Sequence, residues 1–153
     1  MDASYRAVAK PQFRMQHDVR VRFNELDRSG VVYSGNYLVY ADIGVTEYFR
    51  ALGEGLPEQY FQQYLTDIVV LNAEVAYHVP ARLDELITIS ARVAGFGRTS
   101  FTLHCALFRG AERLSDIALT YAHVGIDSGE PEALPGSFIA EVRRFEAIMP
   151  EKS

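Results

Sequence analysis

The chain has 153 residues, of which 48% are apolar, 23% charged and 12% aromatic, the composition of one ordinary globular domain and not of a disordered segment. Fifteen basic against twenty acidic residues leave a net charge of −5 with no long single-sign run, which argues against a nucleic-acid binder and requires any polyanionic ligand to find local basic contacts. A single cysteine, Cys105, excludes an intramolecular disulfide and any multi-cysteine metal site.

Residues 1–15 read as a loose tail that carries charges but lacks the apolar run of a secretory signal. No window approaches the ~18 apolar residues of a membrane span, so the expected setting is cytoplasmic, with no membrane partner. From Asp18 to Asn24, apolar Val19, Val21 and Phe23 alternate with polar neighbours, which predicts a half-buried strand. Leu26 to Gly30 breaks that period with turn-forming residues.

Between Asn36 and Leu52 the apolar residues recur at three- and four-residue steps: Tyr37, Leu38, Ala41, Val45, Tyr48, Phe49 and Leu52. That spacing predicts a largely buried helix, with Asn36 as N-cap and Gly53 as its stop. Gly44 inside it implies close approach of another element, because glycine costs a helix up to about 1 kcal/mol relative to alanine. Pro57 to Leu65 predicts a short second helix. Four strands follow, over Ile68–Val79, Leu86–Ala94, Thr99–Phe108 and Arg113–Ile126, and short turn-rich links suggest an antiparallel meander. Leu134 to Met149 reads as a last helix.

A lone apolar helix beside one sheet must pack on it, so the expected fold class is α+β, a single domain over residues 16–150. Either the sheet curls round the helix or a second subunit completes its cover.

Few motifs carry chemistry. Gly95-Phe96-Gly97 lacks the third glycine of a dinucleotide loop, the histidines His17, His78, His104 and His123 have no metal spacing, and Ser34 is not in a nucleophile elbow. The informative stretch runs from Val21 to Leu52, with Asp27 on a turn seven residues before Ser34 and the helix start. On spacing alone Asp27 is a turn former.

Val21, Phe23, Asp27, Gly30-Val31-Val32-Tyr33, Asn36-Tyr37-Leu38, Thr46-Glu47-Tyr48 and Arg50-Ala51-Leu52-Gly53 together resemble the 4-hydroxybenzoyl-CoA thioesterase family of hot-dog-fold enzymes. The likeness continues through Tyr77–Leu86 and Gly97–Phe101. It implies a hot-dog fold, an antiparallel sheet wrapped around a long central helix, and hydrolysis of an acyl- or aryl-CoA thioester. Coenzyme A would be part of the substrate, with no separate cofactor. The resemblance makes Asp27 the essential carboxylate and places the carbonyl-polarising backbone N–H at Ser34 or a near neighbour, with Tyr33 and Asn36 beside the substrate. Many relatives carry histidine where this chain has Ser34, so a backbone donor survives the change, while the Ser34 hydroxyl either orients water or the carbonyl or only starts the helix. Glu47 on the helix is a competing carboxylate. Arg98, Thr99 and Ser100 form a turn suited to phosphate or pantetheine, and Arg143 and Arg144 are weaker candidates. A homodimer or homotetramer is implied. The alternatives are an acyl-carrier-protein thioesterase and a non-catalytic acyl-CoA-binding or acyl-carrier-protein-binding module; a hot-dog dehydratase lacks its histidine motif here.

Overall fold

The computed structural model describes residues 1–152. Its elements are α1 (Ala3–Arg6), β1 (Met15–Arg20), α2 (Asn36–Leu52), α3 (Pro57–Gln62), β2 (Thr66–Tyr77), β3 (Leu86–Phe96), β4 (Ser100–Arg109), β5 (Glu112–Gly125), α4 (Gly136–Phe145) and β6 (Glu151–Lys152). One six-stranded sheet has the order β1-β3-β4-β5-β2, antiparallel throughout except for the short β6, which pairs parallel with β3.

Alternation along the strands decides which face meets α2. Ile87, Ile89, Ala91 and Val93 of β3, with Leu103, Cys105 and Leu107 of β4 and Ile117 of β5, are all fully buried in the same core as Tyr40, Ala41, Tyr48 and Phe49 of α2. At Gly44 helix and sheet approach closely. A Cβ there would stand 3.1 Å from both Cys105 Sγ and Ile89 Cγ2, which accounts for the glycine. Gly53 ends α2 in the left-handed region at φ +86°, and its N–H donates to Arg50 O. The sheet and helix expected from the resemblance are therefore present.

Four local expectations change. The strand read over 18–24 lies instead at Met15–Arg20, and Phe23–Glu25 forms a single 3-10 turn with Phe23 exposed. The cause is the Glu25 carboxylate, which takes the Arg22 N–H at 2.7 Å and turns the chain. Asn36 is the first helical residue, not the cap, and Gly35 holds the cap position without a side-chain bond. The strands are not one continuous meander. β3, β4 and β5 are, but β2 runs along β5 at the far edge, so the link from Tyr77 to Leu86 crosses the end of the sheet. Residues 1–15 are also packed, not loose: Val8 and Phe13 bury with Ala106 and Phe108 on the sheet face opposite α2, and Tyr5 stacks on His104 with ring centroids 4.4 Å apart. On that outer face His78 and His104 both reach the Asp116 carboxylate, at 2.9 and 2.7 Å.

Candidate active site

The segment from Arg22 to Asn36 closes on itself before α2 begins. Leu26 bridges Val32, Asp27 N–H donates to Val31 O at 2.8 Å, and Tyr33 N–H donates to Glu25 O at 2.9 Å. Asp27 starts the turn at the tip, where Gly30, at φ +84°, returns its N–H to Asp27 O. Val32 N–H reaches Ala81 O at 2.9 Å, which docks this hairpin on the loop before β3.

Asp27 is fully exposed, and its Oδ1 accepts both the Ser29 hydroxyl at 2.6 Å and the Ser29 N–H at 2.8 Å. These bonds, the hydroxyl foremost, hold its carboxyl below the ordinary carboxylate value. At neutral pH Asp27 is therefore an anion whose orientation is fixed by its own turn.

Nine residues on, α2 begins. Tyr33 O accepts the Asn36 N–H, Ser34 O accepts the Tyr37 N–H, and Gly35 O accepts the Leu38 N–H. The N–H groups of Ser34 and Gly35 have no acceptor among the described residues, and no side chain caps the helix. Unpaired donors at the positive end of a 17-residue helix favour a negative oxygen. The Asn36 side chain accepts from neither of them; its amide NH2 donates to Glu25 O at 2.8 Å.

Glu25 was not singled out from sequence, yet it organises this unit. It is only 8% exposed. Its Oε1 accepts the Arg22 N–H and the Tyr40 hydroxyl (3.1 Å), Oε2 faces the Arg22 guanidinium, and its backbone carbonyl accepts both Tyr33 and Asn36. A glutamate flanked by Asn24 and Leu26 carries no periodic signal for burial. Only the Arg22–Glu25 spacing, that of a capping box, hinted at its bond to the Arg22 N–H.

The structure thus gathers Asp27, Tyr33, Ser34 and Asn36 in one hairpin-and-helix unit, with Tyr33 and Ser34 exposed and no hydrogen bond joining Asp27 to Ser34. Arg98, Thr99 and Ser100 are elsewhere. They form the β3–β4 turn at the opposite end of β3, a strand of 11 residues, about 35 Å long at ~3.3 Å per residue. There, the Arg98 and Thr99 carbonyls accept Leu134 and His123 N–H groups, and Arg98 lines a groove of about 340 Å³ with Arg143, Lys152 and Ile139. Glu47, the competing carboxylate, is ion-paired with Arg50 and lies 4.0 Å from His17 Nδ1. Among the described residues no cluster of His, Cys, Asp and Glu could hold a metal ion, and no helix is long and apolar enough to cross a membrane.

A family model described as the thioesterase superfamily matches residues 29–115, more than half the chain, beginning two residues after Asp27. An acyl-CoA thioesterase of Haemophilus influenzae, YbgC, is 30% identical over 117 residues, covering 76% of this chain and 85% of the relative. Among solved structures, a probable thioesterase from Bartonella henselae is 26% identical with a TM-score of 0.72, over 79% of this chain and 98% of that one. A hypothetical protein from Aquifex aeolicus, at 22% identity and a TM-score of 0.75, shares the fold over 84% of this chain and 98% of its own. The chain belongs to the thioesterase superfamily, and its single antiparallel sheet around α2 is the hot-dog architecture.

Proposed function

We propose that this protein hydrolyses an acyl-CoA thioester to the free acid and coenzyme A. The observation that carries the reading is the pair of unpaired N–H groups at Ser34 and Gly35, on the same short segment as a carboxylate held ionised at Asp27. The thioester carbonyl oxygen would accept from those N–H groups, which favour the charge it gains as the carbon becomes tetrahedral. Asp27 would act as nucleophile on that carbon or as general base for a water molecule. By either route the C–S bond of the tetrahedral species breaks and the thiolate departs and is protonated by solvent, so no strong general acid is needed. The base route yields the free acid directly, whereas the nucleophile route leaves an acyl anhydride on Asp27, which a water molecule hydrolyses to the free acid and the regenerated carboxylate. The Ser34 side chain has no assigned step, because the backbone suffices.

The phosphates of coenzyme A fit the Arg98, Arg143 and Lys152 groove, which supplies positive charge locally on an acidic protein. In one protomer that groove and the Asp27 hairpin are at opposite ends of β3. A second copy would reconcile them. β2 pairs on one side only and leaves Val69, Val70 and Leu71 exposed, an edge that proteins ordinarily cover. Antiparallel pairing of β2 with its copy about a two-fold axis would turn each Arg98 end towards the other protomer's Asp27 end.

The test is thiol release from a panel of aryl-, short- and long-chain acyl-CoAs, wild type beside Asp27→Asn. The expected result is turnover by the wild type and a loss of roughly 10²–10⁴-fold in the folded mutant. Tight binding of acyl-CoA without thiol release would identify a non-catalytic module instead.

A further inference from the structure

The peptide between Ser34 and Gly35 is planar and trans, so whatever holds its carbonyl also aims its N–H. Two groups hold that carbonyl. The Tyr37 N–H reaches it at 3.4 Å, near the limit of a hydrogen bond, whereas the Tyr77 hydroxyl donates to it at 2.8 Å. Tyr77 is the tighter restraint, and it comes from outside the helix.

Its delivery is built into the sheet. Tyr77 is the last residue of β2, where it pairs with Ser115 of β5, and its ring stands edge-on to the buried Tyr37 ring at 5.0 Å and 84°. Backbone register and ring packing together carry the hydroxyl to a helix start 43 residues earlier in the chain. The Tyr33 ring lies against Gly35, where a Cβ would stand 2.7 Å from its Cε1, but it offers the Ser34–Gly35 peptide no hydrogen bond. The cap residue has no side chain, and the first turn of a helix frays unless something ties it.

Resting on the thioesterase reading above, we infer that Tyr77 is a positioning residue for hydrolysis: its hydroxyl fixes the Ser34 carbonyl so that the Gly35 N–H faces the developing oxyanion. A donor that is already aimed stabilises charge without reorganising during the reaction. The hydroxyl acts only through the peptide and touches no reacting atom. The bond is therefore worth more to turnover than to binding or folding.

Tyr77→Phe keeps the ring against Tyr37 and deletes the bond. In the full-length protein its expected effect is a fall in kcat of about ten-fold, short of the ~10²–10³-fold lost with a whole oxyanion donor. KM should stay within about two-fold and Tm should be unchanged. The amide ¹⁵N resonance of Gly35 should also move, since its peptide carbonyl has lost a hydrogen bond. Tyr60→Phe is the matched control. It removes a tyrosine hydroxyl that shares a hydrogen bond with Ser137 at 3.0 Å, on α3 and outside the Ser34–Gly35 unit, and should leave kcat and the Gly35 resonance unchanged. An unchanged kcat in active Tyr77→Phe overturns the inference, as does an unmoved Gly35 resonance. A raised KM with unchanged kcat also overturns it, by placing the hydroxyl on the substrate. A wild-type protein that releases no thiol from any acyl-CoA instead sinks the thioesterase reading and the inference with it.

Discussion

Both hydrogen bonds that Ser29 gives to Asp27 end on the same carboxylate oxygen, Oδ1. They favour the anion over the acid, so the folded-state pKa of Asp27 is depressed. The anion is the form that attacks or draws a proton. As pH falls through the ordinary carboxylate range, kcat/KM is therefore expected to hold, and to drop only below it. Ser29→Ala removes the hydroxyl, the larger of the two influences, and should move the acid limb of the profile upward. A mutant limb coincident with that of the wild type would show that Ser29 does not set the ionisation.

The contact between α2 and the sheet can be probed at Gly44. Alanine would gain about 1 kcal/mol in helix propensity. Against this, its methyl meets two fully buried neighbours at 3.1 Å, and overpacking a core costs typically ~1–3 kcal/mol. A net loss of about 1 kcal/mol is expected for Gly44→Ala in urea unfolding, with partial recovery in the double variant with Cys105→Ala. A single variant as stable as wild type would mean that the helix can lift away from the sheet.

Arg98→Ala should weaken binding of the nucleotide end and leave the chemistry alone. KM for acyl-CoA is expected to rise about ten-fold, the order of one charge-assisted hydrogen bond in a solvated groove. Added salt should mask the difference, and an acyl-pantetheine substrate, which lacks the nucleotide, should show none. Equal losses on both substrates would move Arg98 out of the phosphate contact.

Leu71→Lys places a charge on the exposed β2 edge. Lysine on an edge opposes pairing with another strand, so the variant should sediment as a monomer and lose activity. A dimeric wild type with an equally dimeric variant would rule out the proposed pairing through β2.

Much of the frame was legible because its signals are periodic. The α2 boundaries, the close-packing glycine at 44 and the left-handed stop at Gly53 all follow from local pattern. The neighbour of β2 is not a local property. Alternation names the buried face of a strand but not the strand beside it, so the position of β2 next to β5 emerges only with the whole sheet. The packing of the first fifteen residues rests on single side chains such as Phe13 and Tyr5, which set no period. At the site, Asp27 and Ser34 were recognisable as a motif. Glu25 and Tyr77 were not assigned, because each acts through contacts with elements distant in sequence: Tyr40 and Asn36 for the first, Ser34 for the second.

Cys105 has a practical consequence for all of these measurements. It is fully buried beneath α2, and burial pushes its thiol up to about 12. The native protein is therefore expected to be silent towards thiol-reactive dyes, so that sulfhydryl appearing in a colorimetric assay with acyl-CoA reports the released coenzyme A and not the protein. Unfolding exposes one equivalent per chain. The same reagent therefore reports catalysis while the protein is native and its own loss of structure once denaturant is added.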